Sequence, residues 1–168
     1  MLSNWLGHPR TCDLDINDPR TTELRWQIIQ QKLFLRRIYQ EWYLLMAAQL
    51  PPGSQPAIEL GSGGGFLRKY IPGLFTSDIF LSSLTSVVLD GQRMPFGEGA
   101  LRAIVMTDVL HHIPQPRMFF TEAVRCLRPG GKIIMIEPWM TRWSRWVYTH
   151  LHYEPCLPDA PEWEFAGA

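Results

Sequence analysis

Cysteine, net charge and long apolar runs are all scarce in this 168-residue chain. Cys12, Cys126 and Cys156 are an odd, scattered set without metal-like spacing, so no metal site is expected and a reducing cytosol suits them. Sixteen basic residues balance sixteen acidic ones, which leaves no overall field to draw in nucleic acid or an anionic membrane. No uncharged apolar run approaches the ~20 residues that span a bilayer. The opening Met1–Arg10 also lacks the apolar core of a signal peptide. What the chain does have is 46% hydrophobic residues with 14 Pro and 13 Gly, one domain's worth of globular sequence. The expectation is a soluble cytoplasmic protein.

The glycines gather at one place. A short apolar run, Ala57-Ile58-Glu59-Leu60, opens into Gly61-Ser62-Gly63-Gly64-Gly65, and Phe66–Ile71 is expected to begin a helix. Strand, glycine loop and helix N-terminus make a turn that cradles a nucleotide. Glycine, lacking Cβ, lets a ligand lie against the backbone, and first-turn N–H groups face it. A dinucleotide fingerprint counted from Gly61 would need its third glycine where Phe66 stands, which disfavours an NAD-type oxidoreductase. What stands here is Glu59-x-Gly61-x-Gly63-x-Gly65.

That pattern resembles motif I of the class I S-adenosylmethionine (SAM)-dependent methyltransferases, whose loop wraps the methionine end of the cofactor. The resemblance implies Glu59 at the methionine ammonium and Gly61, Ser62, Gly63 and Gly65 at the carboxylate end. A second strand, Gly73–Ile79, carries an acid at its end, and Asp78 with its neighbour Ile79 is expected at the ribose. A carboxylate offers two acceptors to the two donors of a cis-diol; the alternative is a plain turn-forming Asp. The third strand, Ser86–Asp90, runs into Gly91-Gln92-Arg93-Met94-Pro95-Phe96, similar to the family's D-x-x-x-L-P-F segment with Met94 for Leu. This implies Asp90 and Gly91 at the adenine. Too few residues link Asp78 to Val87 for a normal parallel crossover, so the intervening helix must be lost or reduced to a turn.

Ala100–Thr107 reads as the fourth strand, followed by Asp108-Val109-Leu110-His111-His112-Ile113-Pro114. Strand four followed by a paired histidine resembles the type 11 branch, which contains many small-molecule methyltransferases. The resemblance sets Thr107 and Asp108 beside the methionine moiety and His112 near the transferred methyl; the other reading is that the histidines anchor the loop. A helix from about Pro116 to Leu127 leads into Arg125-x-Leu127-x-Pro129-Gly130-Gly131, the family's turn into strand five, Lys132–Glu137.

The flanks are less specific. Asp18-Pro19 gives a cap and first residue for a helix reaching about Gln49, with a break expected near Gln30–Leu33. It is expected to pack on the sheet and to serve as a lid. Trp139, Trp143 and Trp146 fall at i, i+4, i+7 and read as core or pocket wall, with a membrane-surface patch as the alternative. Pro155–Ala168 cannot supply the family's last two strands, so the chain reads as a shortened product or a fragment. Its fifth strand would then leave an edge open to self-association.

The expected architecture is an α/β, Rossmann-like parallel sheet of order 3-2-1-4-5. A helical cap covers 1–54, the SAM-binding core 55–138, and an aromatic helix with irregular tail 139–168. The expected function is methyl transfer from SAM to a small-molecule acceptor, with His112, His111 or Glu137 as base. The alternative is a catalytically weak SAM-binding or scaffolding protein.

Overall fold

The computed structural model describes residues 19–151 together with Glu162 and Glu164. Helices α1, Pro19–Gln31, and α2, Leu33–Ala48, are separated by Lys32 alone, which is extended at φ −86 and ψ 100. The expected break thus falls on a single residue. The expected cap, Asp18, lies outside the described residues.

Strands β1 (Ala57–Leu60), β2 (Leu74–Asp78), β3 (Val87–Val88), β4 (Leu101–Thr107) and β5 (Leu127–Ile136) form one sheet of order β3-β2-β1-β4-β5. Every neighbouring pair is parallel. This is the expected Rossmann-like arrangement.

Side chains alternate across the two faces of a strand, and this alternation sorts the core. Ala57, Ala103 and Val105 face one cluster with Ile29, Tyr43, Met46, Phe66 and Ile71, roofed by α1 and α2. Ile58, Leu60, Ile104 and Met106 face the other, with Phe119, Ala123 and Cys126 of helix α3, Pro116–Cys126. Glu59 has the parity of Ala57, so its carboxyl is carried under the N-terminal helices.

Several elements differ from their sequence expectation. No α-helix follows the glycine loop; Leu67–Lys69 forms only a 3-10 turn. Pro72 and Gly73, the latter at φ 74, stop the segment before a helix can propagate. β3 shrinks to Val87–Val88, and the link from β2 contains no helix. That link is held instead by Thr76, whose Oγ1 donates to the Leu84 carbonyl (3.0 Å) and lies 2.9 Å from Ser86 Oγ. β5 begins at Leu127, and the Pro-Gly-Gly turn is an irregularity inside it: Leu101 pairs with Leu127 and Ala103 already with Lys132.

The aromatic segment also departs from expectation. Helix α4, Arg142–His150, starts after Trp139, so the three tryptophans do not share one helical face. Trp139, Trp143 and Trp146 are 83%, 71% and 46% exposed, neither core nor pocket wall. Thr141 and Ser144 cap the helix reciprocally. Trp143, Trp146 and His150 stack on one another outside the sheet.

Candidate active site

The glycine loop is fixed from two sides. Ser62 N donates to Ser77 O (2.8 Å) and Ser77 N donates to Ser62 Oγ (3.1 Å), which ties the loop to β2. Gly61 sits at φ 59, where a Cβ would come within 2.5 Å of Val109 Cγ2. Gly64 serves a different purpose: its missing side chain makes room for helix α1, since a Cβ there would lie 2.7 Å from Trp26 N. Gly65 likewise leaves space for the Tyr43 hydroxyl.

Above this loop, at the carboxyl ends of β1 and β4, lies a cavity of about 450 Å³. Such crevices are where open parallel sheets bind ligands. Its floor is Glu59 and the loop Gly61, Ser62, Gly63, Gly64 and Gly65. Thr107, Asp108 and His112 form one wall. The roof comes from the N-terminal helices: Arg25, Ile28 and Ile29 of α1, and Leu35, Tyr39 and Tyr43 of α2.

Glu59 is the chemical centre of the floor. It is 3% exposed, and its Oε2 has no hydrogen-bond partner. Burial pushes its carboxyl up to about 8; Ser62 works against this and the charge of Asp78 adds to it. A buried acid in this condition favours an incoming cation. Tyr43 beside it accepts a hydrogen bond from Phe66 N at 3.4 Å, and burial, then the Glu59 charge, raise its phenol well above the usual range.

The wall is built by Glu137. Its Oε1 accepts from Val109 N (2.9 Å) and Leu110 N (2.8 Å), and its Oε2 stands 2.7 Å from His111 Nδ1. Burial works to raise the Glu137 carboxyl, but the His111 and backbone hydrogen bonds prevail and hold it below its ordinary value. Asp108, at φ 55, is the one non-glycine residue with positive φ among those described. Burial and then the Glu137 charge raise its carboxyl, with His111 opposing.

The structure therefore brings Glu59, Gly61, Ser62, Gly63, Gly65, Thr107, Asp108 and His112 to one cavity. His111 and Glu137 stand behind that wall, bound to each other. Asp78 is at the rim: its Oδ2 accepts from Gly63 N at 3.0 Å. Ile79 is exposed, and Asp90 and Gly91 do not reach the cavity. Asp90 is occupied by Gln92, whose backbone N donates to Oδ1 (2.8 Å) and whose side chain donates to both oxygens. Met94 is buried in the core, its N held by Glu122 Oε1 at 2.9 Å.

Sequence reasoning missed Tyr39 and Tyr43, and gave Arg25 no part in the site. The only signal for them was the lid expectation, which named no residue because helical periodicity does not say which face meets a distant loop.

Residues 58–135 match a family model described as a methyltransferase domain. A fatty-acid O-methyltransferase of Mycolicibacterium smegmatis is 28% identical over 145 residues, covering 76% of this chain and 51% of that protein. The chain thus spans about half the length of the curated relative it matches. Among solved structures, a candidate SAM-dependent methyltransferase of Methanococcus maripaludis superposes with a TM-score of 0.56 at 14% identity, covering 82% of this chain and 74% of that one. Geranyl diphosphate C-methyltransferase of Streptomyces coelicolor gives 0.53 at 16%, covering 69% and 54%. These two likenesses concern the fold. No helix among the described residues is long and apolar enough to cross a membrane. With the matched segment, the strand order and the glycine-floored cavity taken together, residues 58–135 are similar to a SAM-dependent methyltransferase domain.

Proposed function

We propose that the chain binds SAM in the cavity over the glycine loop and transfers its methyl group to a small-molecule acceptor. The observation that carries this reading is Glu59: a buried carboxyl with an unpartnered oxygen, facing a cavity floored by glycine backbone. An α-ammonium donor supplies both the missing hydrogen bond and the missing charge. Asp78 would exchange its bond to Gly63 N for ribose hydroxyls, while Gly61–Gly65 admit the amino-acid end. Asp90, which does not line the cavity and holds Gln92, is left out of this reading.

A sulfonium supplies a methyl group that is already electrophilic, so the work left to the chain is alignment and exclusion of water. The roof of Ile28, Leu35 and Tyr39 suits the second task. For an acceptor hydroxyl that must lose a proton, His112 is the base candidate, because it alone of the two histidines lines the cavity. Glu137, with both oxygens engaged, is a positioning residue for the His111–His112 loop.

Titration calorimetry with S-adenosylhomocysteine and with NAD tests the reading. Binding of the first and not the second is expected; NAD binding alone would remove it. Turnover then separates an enzyme from a SAM-binding scaffold. Fatty acids are the first acceptors to assay, as the relative from M. smegmatis acts on them by its name.

A further inference from the structure

The cavity presents an acid and a base that are not paired with each other. Glu59 is on its floor, and Arg25 is on its roof. Among the described residues Arg25 has no ion pair. Its position is built rather than incidental. The next residue, Trp26, lies with its backbone N directly against Gly64, so α1 rests on the glycine loop with no side chain between. A second tie holds the same turn: Ser83 Oγ donates to Glu23 Oε1 at 2.8 Å. Tyr39 of α2 lines the same cavity as Arg25; burial and then Asp108 raise its phenol, and the Arg25 charge opposes them.

An acid and a base facing one cavity of about 450 Å³ match a zwitterion. Resting on the SAM reading above, we propose that Arg25 is the receptor for the α-carboxylate of the cofactor's amino-acid end, with Glu59 taking the α-ammonium. The guanidinium presents several N–H donors in a planar fork suited to a carboxylate. No floor residue offers a cation: Ser62 and the glycines bring only backbone and hydroxyl dipoles. The amino-acid end is thereby clamped between sheet and lid, and α1 contributes a binding group as well as a roof.

Three ligands dissect the clamp by calorimetry on the full chain. S-adenosylhomocysteine has both charges, decarboxylated S-adenosylhomocysteine keeps the ammonium without the carboxylate, and 5′-methylthioadenosine has neither. Arg25→Gln is expected to weaken S-adenosylhomocysteine about tenfold, one charge-assisted hydrogen bond's worth at an exposed site. It should leave the other two ligands unchanged, and Arg25→Lys should regain part of the loss. Unchanged 5′-methylthioadenosine binding doubles as proof that the variant site is folded. Should Arg25→Gln fail to fold, Arg25→Lys and the wild-type comparison decide: equal wild-type affinity for the cofactor product with and without its carboxylate overturns the clamp. A loss confined to a carboxylate acceptor such as dodecanoate overturns it too, by assigning Arg25 to the acceptor. If the wild type binds no S-adenosylhomocysteine at all, the SAM reading itself falls; if it binds and Arg25→Gln changes nothing, only the clamp does.

Discussion

Glu137 Oε2 stands 2.7 Å from His111 Nδ1, and the other carboxylate oxygen holds the backbone N–H groups of Val109 and Leu110. One acid at the end of β5 therefore fixes the whole loop that carries His112 to the cavity. Two backbone bonds to a charged acceptor imply that Glu137→Ala costs roughly 2–4 kcal/mol of stability. Because the folded carboxyl is held below its ordinary value, this contribution is present above about pH 4.5 and is lost as pH falls further. Denaturant unfolding across pH 3–7, wild type against variant, checks both statements; parallel curves would show that Glu137 carries no such linkage.

The two histidines should separate in their effects. His111→Ala is expected to lower the melting temperature, since it removes the partner of Glu137. His112→Gln should leave the melting temperature and S-adenosylhomocysteine affinity in place while slowing turnover about a hundredfold with a hydroxyl acceptor. A rate loss matched by a stability loss in His112→Gln would make both residues anchors.

Glu59 predicts an unusual pH dependence. Its folded carboxyl is pushed up to about 8, above the unfolded value of 4.5, so the folded chain keeps a proton that the unfolded chain releases. Stability should then fall as pH rises from about 4.5 to about 8 and level off beyond, by about 3–5 kcal/mol in total. Glu59→Gln should flatten this fall. Binding of a cation beside Glu59 should expel the proton, seen as a dependence of the calorimetric enthalpy on buffer ionisation near pH 7.

Asp78→Ala should weaken SAM binding by one to two decades, about 1.5–3 kcal/mol, through the lost ribose contact. It also removes the acceptor for Gly63 N, so a stability loss of about 1 kcal/mol is expected beside it. Unchanged affinity would take Asp78 out of the site.

Trp139 and Trp143 are largely exposed, and β5 forms the outer edge of the sheet among the described residues. Open edges and apolar patches both favour association. Light scattering at increasing concentration is expected to show self-association; a constant monomer would show that these surfaces are covered.

The local determinants were legible in the sequence. Glu59 and the glycines declare strand and loop because glycine adopts φ 59 and 45, as at Gly61 and Gly63, without the cost a side chain brings. The shortness of the Asp78–Val87 link declares the missing crossover helix by reach alone. Tertiary structure decided the rest. The sequence does not say that α1 would settle its backbone on Gly64, because that contact joins residues far apart and uses a side chain's absence. Nor does it separate Glu137 the positioning residue from Glu137 the base, since the difference lies in which N–H groups its oxygens meet. Asp90 and Gly91 match a motif, yet neither lines the cavity, and Asp90 holds Gln92. A motif specifies residue types at a spacing; whether a given side chain faces ligand, backbone or water is set by packing between elements that the spacing does not connect.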